Sequence, residues 1–326
     1  DPFFAAKAAR GRAGDIRACI ACNQACIGHR HMGAIVSCIQ HPETGRERSF
    51  PHAKTKAATI RKVMVIGGGP GGMKAAAIAG ERGHDVTLYE KDSQLGGQTR
   101  LAQMLPGRAE FGGIITNLAH EMEQAGVKVR KGMPVDLATV SAEAPDVVIV
   151  ATGAVPYLPS LEDLDEAHAV DAWSVIKGEA NVGGRVVIAD WRCDWVGMGV
   201  AEMLARNGCH VRLYCQGVQP GQNLQAYLRD HWIGVLDSLG VETRAYTRLF
   251  GAESDSVFFQ HMTNGEALVA EEVDTLVLAQ GHRREASLHD QLAETWAGEL
   301  HLIGDALVPR TAEEAVMEGL QAAMVI

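Results

Sequence analysis

The sequence lacks any long hydrophobic run. No apolar stretch approaches the roughly 18–20 residues that a membrane-spanning helix requires, and the first residues given do not predict a signal peptide. It also lacks a basic stripe, and its formal net charge is −10 at pH 7. A phosphate backbone attracts the opposite charge. We therefore expect no membrane span and no nucleic-acid partner.

Cysteine is scarce outside one short segment. Four of the seven cysteines crowd the amino-terminal segment: Cys19, Cys22, Cys26 and Cys38. The other three are scattered downstream: Cys193, Cys209 and Cys215. An odd total without a secretory signal favours a reducing compartment, so we expect a cytoplasmic protein without disulfides. No C-x-x-C motif links the downstream cysteines, and we interpret them as small buried apolar groups.

The composition is typical of a compact α/β protein. Of the 326 residues, 47% are hydrophobic and 36 are glycine, enough for two or three domains with cores of their own. The chain begins at Asp1 without a methionine and stops at Ile326 inside a predicted amphipathic helix. We therefore expect it to be part of a larger protein.

One stretch, Lys62–Lys91, combines the features of a dinucleotide-binding site. A buried strand precedes Gly67, Gly69 and Gly72 in the spacing G-x-G-x-x-G; an alanine-rich helix and a second strand ending at Glu90 follow. The glycines permit a tight turn, close approach of backbone amides to a pyrophosphate, and close helix–strand packing. The helix N-terminus favours negative charge, and Glu90 can accept hydrogen bonds from a ribose. The sequence predicts a bound dinucleotide rather than an ordinary glycine-rich turn.

Three later segments accompany this motif. Leu95-Gly96-Gly97-Gln98 would bring backbone close to a flat or phosphorylated ligand, although the same residues also suit an ordinary loop. A helix predicted from about Ala109 to Ala125 and a strong strand from Asp146 lead to Ala151-Thr152-Gly153. Far downstream, the segment Leu302-Ile303-Gly304-Asp305 ends in a Gly-Asp pair.

The amino-terminal cysteines follow the spacing C-x2-C-x3-C-x11-C. Three closely spaced thiolates and a distant fourth can hold a 4Fe-4S cluster, because its iron prefers sulfur ligands. Zinc is an alternative, since His29, His31 and His41 lie nearby, but structural zinc sites usually present two separated ligand pairs. Thiols without any metal are the third possibility. We favour the iron–sulfur cluster and interpret the histidines as polar surface or supporting residues.

Residues 185–215 repeat the first motif. The segments GMKAAAIAGERGHDVTLYE and GMGVAEMLARNGCHVRLYC align without gaps. In the second copy the glycine loop is replaced by one containing Trp191 and Trp195, and Cys215 stands in the position of Glu90. Bulky side chains obstruct the approach of backbone to a pyrophosphate. We interpret this unit as a poor nicotinamide site, although two cations could still serve NADP: Arg192 and Arg212.

The order of these elements resembles that of flavoproteins with two dinucleotide-binding domains. The elements are the glycine loop, the terminal acid, the glycine pair, Ala-Thr-Gly and Gly-Asp. With the upstream cysteines, the whole chain is similar to the C-terminal half of the old-yellow-enzyme-related iron–sulfur flavoproteins. That group includes 2,4-dienoyl-CoA reductase, trimethylamine and dimethylamine dehydrogenases, and N-methyl amino acid demethylases. Its members also carry an N-terminal (β/α)8 barrel with FMN and the substrate site, to which no part of this sequence corresponds.

The resemblance implies FAD as the dinucleotide, with ADP alone as the alternative, and assigns Asp305 to the flavin ribityl chain. The residues expected to hold the dinucleotide are Gly67, Gly69, Gly72, Glu90, Gly97, Gly153 and Asp305. The expected cluster ligands are Cys19, Cys22, Cys26 and Cys38. Catalytic residues stay unknown, because the substrate site belongs to the barrel. The implied partners are an N-terminal FMN barrel domain or subunit and an electron-transfer protein, within an oligomer.

We therefore predict an α/β fold with two doubly wound Rossmann-like dinucleotide-binding domains, the first discontinuous, preceded by a cysteine-rich cluster-binding segment. The predicted domains are an iron–sulfur segment and linker (1–58), an FAD domain (59–154 plus 290–326) and a degenerate second domain (155–289). The expected function is electron transfer in oxidative N-demethylation of a secondary or tertiary amine or N-methyl amino acid. The alternatives are an NAD(P)H-dependent 2,4-dienoyl-CoA or enoate reductase, and a nucleotide-stabilised scaffold for a partner subunit.

Overall fold

The backbone divides into two compact units. The computed structural model describes residues 1–50, 55–161 and 164–326. Unit 1 comprises Asp1–Arg100, Glu110–Val155 and Arg284–Ile326, and unit 2 comprises Leu101–Ala109 and Pro156–Arg283. The first unit is therefore assembled from segments distant in sequence, as predicted.

The helices of the described chain are mostly short. In chain order they are α1 Phe4–Ala9, α2 His29–His31, α3 Pro70–Glu81, α4 Thr99–Ala102, α5 Gly113–Gln124, α6 Leu137–Glu143, α7 Ala172–Lys177, α8 Trp195–Arg206, α9 Ala226–Ser238, α10 Ser287–Thr295 and α11 Ala312–Val325. A π-helical turn covers Gln24–Gly28, and 3-10 turns cover Ala13–Asp15, Ala109–Gly112, Leu164–Glu166 and Gly304–Ala306. Among the described residues, no helix combines the length and apolar character needed to cross a bilayer.

The strands alternate with these helices. They are β1 Lys62–Ile66, β2 Asp85–Glu90, β3 Lys128–Lys131, β4 Val147–Val150, β5 Ala154–Pro156, β6 Ala169–Asp171, β7 Arg185–Asp190, β8 His210–Cys215, β9 Glu242–Arg244, β10 Thr247–Glu253, β11 Ser256–His261, β12 Ala267–Ala270, β13 Thr275–Ala279, β14 His282–Arg284 and β15 Glu299–Leu302.

Unit 1 contains a parallel sheet with the strand order β15-β4-β1-β2-β3. Its central strands are buried on both faces, which explains the continuous apolar run of β4. Residues of α3, α5 and α11 form the core on one face, together with Ile20, Ala25 and Ile39 from the cysteine segment. Residues of α6 and α10 cover the other face. Helices on both faces of a parallel sheet make this a doubly wound fold.

Unit 2 contains a second parallel sheet, with the strand order β6-β13-β7-β8-β9. Residues of α7, α8 and α9 cover one face. The other face packs on an antiparallel sheet of β10, β11 and β12. The predicted fold class of two Rossmann-like units is thus confirmed, whereas the cluster-binding role of the cysteine segment stays a prediction.

Several bounds differ from those predicted. The predicted helix from Ala109 begins as a 3-10 turn and becomes α-helical at Gly113. Leu101–Ala109 groups with unit 2, because Arg108 lies 4.3 Å from the ring centroids of both Trp195 and Trp232. Residues 51–54 of the predicted iron–sulfur segment and linker (1–58), and residues 162–163 of the predicted second domain (155–289), lie outside the described residues. The functional domain boundaries stay predictions.

Candidate functional site

The glycine loop after β1 brings three backbone segments close together. Gly67 has a φ of +113°, and a Cβ there would lie 2.6 Å from the carbonyl carbon of Ala151. A Cβ on Gly72 would strike the Gly67 carbonyl oxygen and lie 3.1 Å from the Ala151 Cβ. Only glycine lets α3 begin this close to the ends of β1 and β4.

The N-terminus of α3 has no capping side chain. Gly69 is its N-cap, and Pro70 occupies the first helical position. A Cβ on Gly69 would meet no atom within 4 Å. Because the first amides of a helix lack intrahelical acceptors, this terminus can receive a pyrophosphate.

Glu90 ends β2 beside this loop and is buried, with 6% of its surface exposed. Its Oε2 accepts a hydrogen bond from the Gly68 N–H at 2.7 Å, and its Oε1 accepts one from the Asp92 N–H at 2.8 Å. Each carboxylate oxygen has a second lone pair for a ribose hydroxyl. Sequence reasoning missed Gly68, where a Cβ would lie 2.9 Å from Glu90 Oε2; the run of three consecutive glycines was the available signal.

The glycine pair lies on the same loop. The Gly96 N–H donates to the Gly68 carbonyl at 2.8 Å, and a Cβ on Gly97 would lie 3.2 Å from the Gly69 Cα. Gly153, which follows β4, has a φ of +77°. These segments meet at the carboxyl ends of β1, β2 and β4, the edge where open α/β sheets bind ligands.

Asp305 completes this edge after β15. Its Oδ2 accepts a hydrogen bond from Gln98 Nε2 at 2.8 Å, and its Oδ1 accepts one from the Arg310 N–H at 3.0 Å. The adjacent Gly304 N–H donates to Glu318 Oε2 at 2.7 Å. The structure thus gathers at one edge every residue predicted to hold the dinucleotide, and the open helix terminus and buried acid fit FAD or ADP.

Helices α3 and α11 touch through their backbones. A Cβ on Gly71 would lie 2.8 Å from the Ala315 carbonyl oxygen, and one on Gly319 would lie 3.1 Å from the Ala75 nitrogen. Thr311 and Glu314 form a capping box that starts α11. This contact holds the end of the chain against the helix that faces the ligand edge, and no motif in the sequence indicated it.

The four amino-terminal cysteines lie in one neighbourhood. Burial raises the pKa of the Cys22 thiol to about 11, opposed by a backbone hydrogen bond from Gln24, and Cys38, Cys26 and Cys19 each add to the rise. The Ala21 N–H lies 3.4 Å from Cys19 Sγ. Ala21 and Asn23 have φ values of 51° and 54°, so the loop winds tightly between the cysteines.

Four thiols and a backbone donor to sulfur are groups that a 4Fe-4S cluster would use. Backbone N–H donors to sulfur are a recognised means of tuning an iron–sulfur site. In the described part of the chain, no three Cys, His, Asp or Glu side chains converge closely enough to hold a metal ion, so the role of the four cysteines as cluster ligands stays a prediction. His29 is engaged elsewhere: Nε2 lies 3.1 Å from Glu313 Oε2, and Nδ1 lies 2.7 Å from the Ile35 carbonyl oxygen.

The corresponding loop of unit 2 has different geometry. Trp191, which is 51% exposed, and Arg192 lie against Gly281: a Cβ there would come 3.2 Å from the indole and 3.3 Å from Arg192 Cδ. Arg192 Nε pairs with Asp194 Oδ2 at 2.8 Å. The neighbouring cavity, lined in part by Trp173 and Arg192, has a volume of about 10 Å³, room for roughly one water molecule.

Two downstream cysteines meet in this loop, which sequence reasoning did not anticipate. Gly217 N–H donates to Cys193 Sγ at 3.2 Å, and Cys215 Sγ lies 3.9 Å from the Gly217 carbonyl oxygen. A hydrogen bond from Cys215 is the main cause that lowers the pKa of the Cys193 thiol to about 7, against the effect of burial. Asp190, beside them, has a strongly raised pKa because it is buried. Two thiols and a buried carboxyl group thus stand where the first unit has its acid.

Comparison with known proteins places the chain in a family. A family model described as pyridine nucleotide-disulphide oxidoreductase matches residues 61–319. The N,N-dimethylglycine/sarcosine dehydrogenase of Chromohalobacter salexigens is 37% identical over 229 residues, 68% of this chain and 33% of that protein. The NADH oxidase of Thermoanaerobacter brockii is 32% identical over 333 residues, 99% of this chain and 50% of that protein.

A solved structure is similar to this chain over its whole length. A 2-naphthoyl-CoA reductase in complex with 2-naphthoyl-CoA superposes with a TM-score of 0.91 at 28% identity, covering 100% of this chain and 49% of that one. The chain thus spans half, or less, of the length of these relatives. The matches confirm the predicted resemblance to the C-terminal half of such enzymes. The chain therefore belongs to the pyridine nucleotide-disulphide oxidoreductase family, and its two Rossmann-like units are those of a flavin-dependent oxidoreductase.

Proposed function

We propose that this chain is the electron-transfer half of an iron–sulfur flavoprotein whose complete form oxidatively N-demethylates a secondary or tertiary amine or an N-methyl amino acid. Electrons would pass through a 4Fe-4S cluster to a protein acceptor. The observation that carries the proposal is the presence in unit 1 of two sites: a ligand edge with an open helix terminus, and four thiols in one neighbourhood. The FMN-containing barrel would supply the substrate site.

Each residue has a defined task toward these groups. When bound, the FAD and the 4Fe-4S cluster would carry single electrons, which amino acid side chains cannot do here. The α3 terminus would bind the pyrophosphate, Glu90 would accept hydrogen bonds from the ribose, and Asp305 would accept one from the ribityl chain. Gly97 would let its loop approach Gly69 at the ligand edge, and Gly153 would supply the left-handed backbone that follows β4. Cys19, Cys22, Cys26 and Cys38 would hold the cluster, with backbone N–H groups stabilising the thiolates.

The unit 2 loop favours the amine-oxidising reaction over the reductase alternative. Reductases that use NAD(P)H need an open glycine loop in this unit. Here Trp191 and Arg192 cover Gly281, and Asp194 neutralises the Arg192 cation that NADP would need. The 2-naphthoyl-CoA reductase and NADH oxidase among the relatives keep the reductase as the second candidate.

Two experiments test the proposal on the complete protein purified without air. Metal and nucleotide analysis should give about four iron and four sulfide per chain, with one FAD or ADP released on denaturation. Zinc without iron would overturn the cluster, and absence of both metal and nucleotide would favour a scaffold. Rapid mixing with NADH or NADPH should leave the flavin oxidised, whereas sarcosine or dimethylglycine as probe amines should reduce it. Fast reduction by NAD(P)H would establish the reductase instead.

A further inference from the structure

We propose that Asn117 and Gln40 are positioning residues that fix the separation between the first and last ligands of the cluster, Cys19 and Cys38. The inference deepens the proposed function and rests on it, because it takes the four amino-terminal cysteines to be cluster ligands. It assigns a role to α5, which contains no predicted site residue.

Three polar groups join the two ends of the cysteine segment. Asn117 Nδ2 donates to Gln40 Oε1 at 2.6 Å and to the Ala18 carbonyl oxygen at 3.0 Å. Gln40 Nε2 donates to the same carbonyl at 2.9 Å. Ala18 immediately precedes Cys19, and Gln40 follows Cys38 by two residues. The three groups therefore close a ring that ties both ends together, and only 3% of the Gln40 surface is exposed.

The helix presents a regular stripe to the segment. Gly113, Asn117 and Glu121 are spaced by four residues, so they lie on one face of α5. A Cβ on Gly113 would lie 2.9 Å from Ile20 Cγ2, and Glu121 Oε1 accepts a hydrogen bond from Arg17 Nε at 2.6 Å. The stripe thus contacts the chain on both sides of Cys19.

By holding the two ends of the cysteine segment together, Asn117 and Gln40 control the reduction potential and the stability of the cluster, because both depend on the position of the sulfur atoms. Hydrogen bonding and solvent exposure set the reduction potential of an iron–sulfur cluster, and second-layer partners fix the orientation of metal ligands. Gln40 is buried and Asn117 is half-buried, and a hydrogen-bonded amide pair whose members satisfy each other holds one geometry. Without the Asn117 amide, Gln40 Oε1 loses its donor and the ring opens, so the cluster becomes more exposed and more labile.

The test compares variants of the complete protein, prepared without air. Asn117→Ala removes the amide, and Gln40→Glu keeps an acceptor for Asn117 but loses the donor to Ala18. Gln124→Ala, an exposed amide on the same helix, is the matched control. The readouts are the rate of iron release to a chelator, the midpoint potential and the electron paramagnetic resonance spectrum of the reduced cluster, and the FAD or ADP content.

Asn117→Ala removes two hydrogen bonds. We expect it to release iron roughly fivefold faster or more, because about 1 kcal/mol, the typical contribution of a single hydrogen bond, corresponds to that factor. Its midpoint potential and spectrum should shift, its nucleotide content should stay normal, and Gln124→Ala should match the wild type. Should Asn117→Ala fail to accumulate, Gln40→Glu provides the same readouts. A wild-type cluster with wild-type release rate and potential in the variants would overturn the inference. Absence of iron from the wild type would instead overturn the proposed function beneath it.

Discussion

Gln98 donates a hydrogen bond from Nε2 to Asp305 Oδ2 at 2.8 Å, although 207 residues separate them in the chain. Gln98 belongs to the loop that follows β2, and Asp305 to the turn that follows β15. Because the Arg310 N–H occupies the other oxygen, both carboxylate oxygens of Asp305 are held. The orientation of the proposed ribityl-binding group therefore depends on a loop that lies beside it in space but far from it in the sequence.

Replacing Gln98 by Ala should weaken retention of the dinucleotide. Loss of a hydrogen bond to a charged group is worth about 1.5–3 kcal/mol, so we expect the dissociation constant for FAD to rise about tenfold or more. Fluorescence titration of apoprotein with FAD measures this. Gln291→Ala, at an exposed position in α10, should leave affinity unchanged. Equal affinities for Gln98→Ala and wild type would show that Asp305 needs no support.

Glu121 lies between two cations, Arg17 and Lys74. Removing the charge of Glu121 should lower the free energy of unfolding of unit 1. Lys74 Nζ lies 3.6 Å from Glu121 Oε2, its side chain is 1% exposed, and Nζ has no hydrogen-bond partner among the described residues. Glu121→Gln leaves a buried cation uncompensated, which costs about 3 kcal/mol in free energy of unfolding. Lys74→Met should be close to neutral, because the stem is already buried among apolar side chains.

The double variant separates charge from packing. Combining Glu121→Gln with Lys74→Met should recover most of the lost stability, because no unpaired buried ammonium remains. Urea unfolding of the four proteins gives the coupling energy. Additive effects of the two substitutions would contradict an electrostatic link between Glu121 and Lys74.

The Cys193 thiol should titrate near neutral pH. Its pKa is lowered to about 7, first by the hydrogen bond from Cys215, which holds its own proton more tightly. Cys215→Ala removes that donor and leaves burial opposed only by the backbone donors such as the Gly217 N–H, so the pKa of Cys193 should rise and its thiolate absorbance should appear only at higher pH. Cys209→Ala is the control, because the causes that shift the Cys193 pKa do not include Cys209. An unchanged titration in Cys215→Ala would contradict the coupling.

His84 should make unit 1 less stable in acid. Burial lowers the pKa of His84 below its ordinary value of 6.5, and the Arg82 charge adds to this. Its Nδ1 accepts a hydrogen bond from the Arg61 N–H at 3.2 Å. Because the folded state binds the proton less tightly than the unfolded state, stability is full above the ordinary pKa and is lost as the pH falls below it.

The comparison of two histidine variants checks this sign. His84→Gln should reduce the decline in free energy of unfolding between about pH 7.5 and 5, measured by urea unfolding. His210→Gln, at an exposed position on β8, should retain the wild-type decline. A variant of His84 that loses as much stability as wild type over this range would exclude the histidine as a source of acid sensitivity.

Local patterns made much of the ligand edge predictable. Gly67 and Gly72 must be glycine because a Cβ would strike neighbouring backbone, and a strand–glycine–helix–strand pattern records that requirement in one short segment. The alignment of the second unit with the first likewise exposed the replacement of the acid by Cys215. Where each function resides within a few consecutive residues, the sequence is sufficient.

Contacts between distant segments could not be predicted in the same way. The pairings of Gln98 with Asp305, Asn117 with Gln40 and Cys193 with Cys215 leave no periodic or compositional trace, because ordinary polar or small residues make them.

The sequence by itself determined the fold class, the glycine loop with Glu90, and the spacing of the four cysteines, since each follows from backbone sterics or ligand chemistry over short distances. Only the tertiary structure decided that α5 joins the ends of the cysteine segment and that Trp191 and Arg192 cover Gly281. Side-chain packing across the sheets sets those distances, and it depends on the whole folded unit.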